Sequence, residues 1–545
     1  VTDYTSTSKT SIVLVQAASL NDTLEVIAYD IATISDTVSK ADGGTFEANV
    51  TFATGADIIT GSAGTDNVRL GENAGDSIAS GGNNNVVIGK DSGTALTTGD
   101  NNVAIGFEAL KTEDGHGNNT AIGYQALKTQ DAGANAANTA VGYQAGLDLT
   151  DGHSNVFMGT LAGANVTTAD NNTFLGYNSG GATTTGGDNV AIGTGALQSQ
   201  TEGGDNVAIG HLALSTLTTA GNNTAVGDRA MQSSTSGENN VAVGTLALDA
   251  NTSGSLNTCI GRSAGSSATT VSDNTFIGAF CGDAATGGEN TGVGSGALGG
   301  SLTGDQNVAV GHDAGNSLTS GTDNVFIGHL AGNGATTASD CVMIGEQSGG
   351  QTTITGGANT LVGRAAGYAV TSGVNNSCLG KDAGRANSPS GNIQTSSNNI
   401  CLGNDDITGL FCSDTSISSS DSRDKADITN FNIGLNWIKD LRPVTYKWDK
   451  RSWYGTEEEP YGTPDGSKKK SKVNIGFLAQ EALEVEKANG FGDSADNMLI
   501  CNLTEDGQRY GMKYERLVPI LVNAIKELSA KTDALETRIE ALEAG

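Results

Sequence analysis

Apolar and polar positions follow three rhythms along this chain. In residues 1–60 they alternate in short runs, Ser11-Ile12-Val13-Leu14-Val15 and Leu24-Glu25-Val26-Ile27-Ala28-Tyr29, separated by Asn21-Asp22. That is a strand–turn–strand signal, and Gly43-Gly44-Thr45-Phe46-Glu47-Ala48-Asn49-Val50 reads as a linker strand after it. The chain opens inside such a run, so a preceding segment is expected. From about residue 61 to 405 the pattern N-x-x-[ILVM]-G recurs twenty times, from Gly71 to Gly403, mostly at intervals of 17. After residue 420 helical and heptad spacings take over.

A fixed period near 17 marks one turn of a stacked structure, whose units cannot bury an apolar face alone. Each turn is expected to supply a short strand such as Asn102-Val103-Ala104-Ile105-Gly106. Stacked at about 4.8 Å, twenty turns give a shaft on the order of 90–100 Å. Asparagine stands four residues before the glycine in every repeat except that of Cys341, and is expected to form a ladder serving turn backbone. The aliphatic residue before the glycine is expected to build the core. The small residue three after it, present in every repeat but the last, is expected to form a column where another chain approaches. The anchor glycine suits a positive φ or a close contact. Proline is absent until Pro389, as ladder strands require. A coil this thin has little core, so association into a trimer about a shared axis is expected.

Residues 386–419 break the period and contain Ser388-Pro389-Ser390, after which Ile407-Thr408-Gly409-Leu410-Phe411-Cys412 alternates again. Beyond Ser420 lie all three tryptophans and four of the five prolines. Leu435, Ile438 and Leu441 predict a helix over about 430–441, stopped by Pro443. Val444–Trp448 and Val473–Phe477 predict strands, the second leading into a helix at Leu478–Leu483, and 454–472 a polar loop. Val518, Ile525, Ile539 and Leu521, Leu528, Leu535, Leu542, with Thr532 in the first series, predict a coiled coil over about 515–543.

Composition narrows the function. The net charge is −31, concentrated upstream: 11 Lys and Arg against 38 Asp and Glu before Ser420, 18 against 22 from there on. Such a surface repels nucleic acid, and the bland reading of the charge is solubility. Seven scattered cysteines without a C-x-x-C pair read as small buried residues rather than a disulfide framework. No run is long and apolar enough to predict a membrane span. The five histidines fall in separate repeats, as surface positions, so neither a metal nor a cofactor is expected.

The segment 420–545 resembles the intramolecular chaperone domain of phage tail fibres and spikes, also classed as a self-cleaving peptidase family of the S74 type. The resemblance is carried by Ser420-Asp421-x-Arg423-x-Lys425, Leu441-Arg442-Pro443-Val444, Ile475-Gly476-Phe477-Leu478-Ala479-Gln480-Glu481 and Tyr510-Gly511-Met512-Lys513-Tyr514-Glu515-Arg516-Leu517-Val518-Pro519-Ile520-Leu521. It implies a domain that trimerises the fibre, sets its register and cuts itself off between Ser419 and Ser420. Ser420 and Lys425 match the family's serine–lysine dyad. A serine needs a base, and a lysine serves only when neutral, through desolvation or nearby positive charge. Arg423 would help and Asp421 and Asp424 would oppose. No activity on external substrates is expected. Residues 1–60 similarly resemble a β-module near the attachment end of phage fibres, 406–419 their terminal strand, and the shaft motif the head repeats of trimeric autotransporter adhesins.

The resulting expectation is a mostly β chain. A partial N-terminal module (1–60) precedes a β-solenoid or β-roll shaft (61–405), a terminal strand (406–419) and an α+β chaperone with coiled coil (420–545). The expected role is a homotrimeric phage tail fibre in the virion, assembled in the host cytoplasm. Its expected partners are a host-surface receptor, a glycan or outer-membrane component, and other tail proteins. The rivals are a bacterial trimeric adhesin and a polysaccharide-degrading spike. The latter would need paired carboxylates and aromatic platforms, and the shaft has no tryptophan.

Overall fold

A computed structural model describes residues 4–8, 11–14, 63–350, 353–407, 422–456, 459–504 and 507–545. The chain forms two compact units, Val1–Ile59 and Thr60–Gly545. In the first, β1 (Tyr4–Ser8) pairs antiparallel with β2 (Ser11–Leu14), Tyr4 opposite Leu14. The predicted strand at Leu24–Tyr29, the linker at 43–50 and residues 408–412 lie outside the described residues.

The second unit begins with a parallel β-solenoid of twenty three-residue strands, β3 (Val68–Leu70) to β22 (Ile400–Leu402). Each pairs only with its neighbours in sequence, from Val68 opposite Val86 to Leu379 opposite Leu402. Among the described residues no register joins β22 to β3, and each end strand has one partner only.

The asparagine ladder is present and joins coil to coil. The Asn102 backbone N–H donates to Asn85 Oδ1 at 2.9 Å, and the Asn119 N–H to Asn102 Oδ1 at 3.0 Å. In most coils the Nδ2 reaches forward within its own coil, as where Asn85 Nδ2 donates to Gly99 O at 2.8 Å. These side chains are fully buried, and each couples two coils by satisfying otherwise stranded backbone. Cys341 keeps the donor half, its N–H donating to Asn324 Oδ1 at 3.0 Å. The residue just before the asparagine is left-handed, as at Asn101 (φ 59°), Asp205 (φ 60°) and Asp323 (φ 59°). That accounts for the recurring Asn-Asn and Asp-Asn pairs, since both residues tolerate this conformation. The anchor glycine meets both of its expected constraints. Gly210 has φ +139°, and an added Cβ would lie 2.2 Å from Gly227 O of the next coil.

Two expected columns are reversed. The aliphatic residue before the glycine faces outward and is half-exposed, as at Met158 and Leu379. The buried strand position is one earlier: Ala104, Phe174, Phe326. The small residue three after the glycine is no chain-contact column; Ala109, Ala126 and Ser179 lie inside the coil. Alternation along a strand fixes period but not phase, and the interior of a 17-residue coil is too narrow for aliphatics at every turn.

That narrowness is regulated by volume. Where the buried strand residue is alanine, the position six later is usually large, as in Ala104/Leu110, Ala191/Leu197 and Ala208/Leu214. Where it is large, that position is glycine: Phe174/Gly180, Phe326/Gly332, Leu361/Gly367. A Cβ on Gly180 would meet the Phe174 ring at 2.3 Å.

The rest of the unit is a small α+β body. Strands β23 (Val444–Tyr446) and β24 (Asn474–Gly476) pair antiparallel, as do β25 (Cys501–Leu503) and β26 (Tyr510–Met512). Helices α1 (Leu435–Asp440), α2 (Ala479–Ala488) and α3 (Leu517–Glu543) complete it. Trp437, Leu483, Ile500, Leu517 and Ile520 form its core. The buried Glu486 carboxylate accepts the N–H groups of Leu499, Ile500 and Cys501 at 2.6–3.0 Å. The helix predicted from 430 begins only at Leu435, because Asn523 Nδ2 on α3 donates to the carbonyls of Phe431 and Ile433 and holds that stretch out of the helix. The six cysteines among the described residues are free and buried, and no described helix is long and apolar enough to cross a membrane.

Phe174→Ala is expected to lower stability by about 3–5 kcal/mol through lost burial and a cavity. Adding Gly180→Leu recreates the Ala/Leu pairing of neighbouring coils, whose leucines share its left-handed backbone (Leu197 φ 51°, Gly180 φ 57°). Thermal unfolding of the double variant should recover part of the loss.

Candidate cleavage joint and the seam beside it

Of the predicted site residues, the structure describes Lys425; Ser419 and Ser420 lie outside the described residues. Lys425 is exposed and follows a single 3-10 turn at Ser422–Asp424, its N–H donating to Ser422 O at 3.4 Å. The described residues therefore do not bring the serine and lysine together. They do show what lies behind Lys425. Glu527 Oε2 on α3 accepts the Leu435 N–H at 3.2 Å, and Asn523 holds Phe431 and Ile433. Gly434 lies so close that an added Cβ would stand 2.8 Å from Ala524 N. The stretch after Lys425 is thus pinned to the helix that carries the heptads.

The widely separated sequence motifs meet around this body. Arg442 forms a bidentate pair with Glu481, Nε to Oε2 at 3.0 Å and Nη2 to Oε1. Both are exposed, so the pair aligns β23 and α2 more than it stabilises them. The Tyr514 hydroxyl accepts the Phe477 N–H at 3.2 Å, and a Cβ on Gly476 would lie 2.5 Å from that oxygen.

A second polar centre lies where the last coil meets the C-terminal body. Its hub is Asp405, whose side chain is 4% exposed. Arg509 grips it with two nitrogens, Nη1 to Oδ1 at 2.9 Å and Nη2 to Oδ2. Lys450 Nζ stands 3.2 Å from Oδ1, and Ser452 Oγ donates to Oδ2. Arg509 also donates to Ser388 O at 2.8 Å and from Nε to the Tyr461 hydroxyl at 3.2 Å; that hydroxyl donates to Ala386 O at 3.1 Å. Lys450 lies 5.1 Å from the Trp448 ring and 5.7 Å from the Trp453 ring. Burial pushes the Asp405 carboxyl up, but hydrogen bonds from Arg509 and Ser452 and the charges of Arg509 and Lys450 outweigh it and hold the carboxyl below its ordinary value. Sequence reasoning missed this centre. Its one visible trace is the 23-residue interval between Gly380 and Gly403, whose extra residues include Ala386 and Ser388.

Among the described residues one group, Glu113, Asp114 and His116, brings possible metal-ligand atoms within 4.8 Å of one another. The fully buried Glu113 carboxylate is occupied there, accepting the His116 N–H at 3.0 Å and Gln130 Nε2 at 3.2 Å.

Residues 420–491 match the model of the Peptidase_S74 family, described as chaperone of endosialidase. No curated protein and no solved structure matches the chain. The core that closes around the matched segment draws Leu517 and Ile520 from beyond it.

A carboxyl held below its ordinary value stabilises fully above the unfolded aspartate range, and that contribution is lost as pH falls through the lowered value. The emission of Trp448 and Trp453 beside Lys450 is expected to hold steady down to about pH 4 and to shift only in stronger acid. Asp405→Asn should abolish that step in a fluorescence titration. This chain carries a C-terminal chaperone-of-endosialidase domain behind a parallel β-solenoid shaft, an architecture that fits a tail fibre or spike.

Proposed function

We propose that this chain is a bacteriophage tail fibre that attaches to the host cell surface, and that its C-terminal domain trimerises the fibre and then cuts it between Ser419 and Ser420. The carrying observation is the chaperone-of-endosialidase match at 420–491 directly behind twenty solenoid coils. A stacked repeat offers many near-equivalent registers, and a guide with its own oligomerising helix resolves them.

Two faces support association of copies. On α3, Val518, Leu521, Ile525, Leu528, Leu535, Ile539 and Leu542 are all exposed in the single chain. On the shaft, the two outward strand positions carry only Val, Thr, Ser, Ile, Leu and Met through all twenty coils, without one charge in a chain of net charge −31. The position before the glycine is Leu, Ile, Val or Met in every coil, and an apolar stripe of that extent is unusual on a lone soluble body.

For the cut, the Ser420 hydroxyl attacks the Ser419 carbonyl while the Lys425 amine takes its proton; the Lys425 ammonium then returns that proton to the Ser420 nitrogen, which leaves as a free amine as the C–N bond breaks and the ester forms. Water then resolves the ester. Lys425 is exposed in the single chain, so packing of a neighbouring copy over it would supply the desolvation that a lysine base needs. Assembly would then gate the cut.

Ser420→Ala is expected to run as one uncut chain on a denaturing gel, with Lys425→Met cut far more slowly; two fragments from Ser420→Ala would overturn the assignment. Replacing Leu528 and Leu535 with Asp is expected to convert a trimer into monomers in sedimentation equilibrium and to suppress cutting with it.

A further inference from the structure

The seam around Asp405 has an arrangement that guiding and cutting do not require. In the bonds that cross it, the acceptors Asp405, Ser388 and Ala386 all precede the Ser419–Ser420 bond, and the donors Arg509, Lys450, Ser452 and Tyr461 all follow it. We propose that this seam is an interface between the two cleavage products: after the bond is cut, the C-terminal fragment stays seated on the last coil as a non-covalent cap. The proposal rests on the cleavage reading.

Three observations carry it. First, the contact is built for a closed state. The Arg509–Asp405 pair is bidentate, with side chains 17% and 4% exposed, and Lys450 and Ser452 take up more of the carboxylate's capacity. For the body to leave the coil, the bidentate charge-assisted pair and the Lys450 and Ser452 bonds to the same carboxylate must all break together. Second, the shaft departs from its period to make the socket. The coil from Gly380 to Gly403 is 23 residues instead of 17. Its excess residues turn the Ala386 and Ser388 carbonyls to Tyr461 and Arg509, and Ser388 Oγ donates to Gly403 O at 2.9 Å. A guide meant only to leave needs no fitted socket. Third, among the described residues β22 has no partner on its outer edge, and open solenoid ends are normally closed by a capping element. If three copies assemble, three such seams hold one trimeric cap, and their avidity multiplies.

The test separates this from self-cleavage. A Ser420→Ala full-length chain carries a recognition site for an external protease between Cys412 and Ser419, is cut by that protease, and is analysed by native size exclusion followed by denaturing gel. The two fragments are expected to co-elute. Asp405→Asn with Arg509→Met is expected to separate them, while Arg442→Met, which breaks an exposed pair inside the C-terminal body, leaves them together. Hydrogen exchange on the cut parent needs no variant: protection at 384–392 and 448–454 should match the uncut chain. Separation of the parent fragments, or lost protection at those two stretches, overturns the proposal; so does co-elution in the Asp405/Arg509 variant. Should native Ser420 chains never cut, the cleavage reading fails while the externally cut chain still decides the seam.

Discussion

Everything in the shaft depends on a hydrogen bond from one asparagine backbone to the side chain of the asparagine one coil before it. A seventeen-residue coil encloses too little apolar volume to hold itself shut. Its stability must come from coupling to its neighbours, and the buried amide does this twice over, receiving from the next coil while donating into its own. The anchor glycine is the steric counterpart, allowing backbones to stack at a distance no Cβ permits. With both in place, a three-residue strand is long enough, because each strand is a rung of a continuous sheet.

Periodic features of the fold were legible in the sequence. The repeat, its strand, the asparagine ladder and the strain at the glycine all follow from residue types at a fixed spacing. The facing of the columns was not. Ile105 looks like core and Ala104 like filler, yet Ala104 is the one inside. A narrow interior inverts the usual inference from size, and only the Phe/Gly and Ala/Leu pairings disclose how little room there is. Helix boundaries shifted for a different reason. The chain at Phe431 and Ile433 obeys Asn523, about ninety residues away, and no local pattern encodes that.

The candidate site divides along the same line. The motif residues behind Ser420, among them Arg442, Glu481 and Tyr514, were legible because they keep a known order along the chain. Asp405 and Arg509 stand 104 residues apart in stretches without a motif, and only folding makes them partners. The irregular coil before Gly403 marked the spot without saying what docks there. The C-terminal body therefore carries two chemically distinct surfaces: an exposed apolar face along α3 and a buried, charged contact with the last coil at Asp405.

The open ladder has a consequence for how such a molecule can vary. Because each coil contacts only the coils beside it, neither end of the shaft senses how many lie between. Reach becomes a counting variable, adjustable in steps of about 4.8 Å by gaining or losing whole units. The parts at the two ends can stay as they are while the span between them changes.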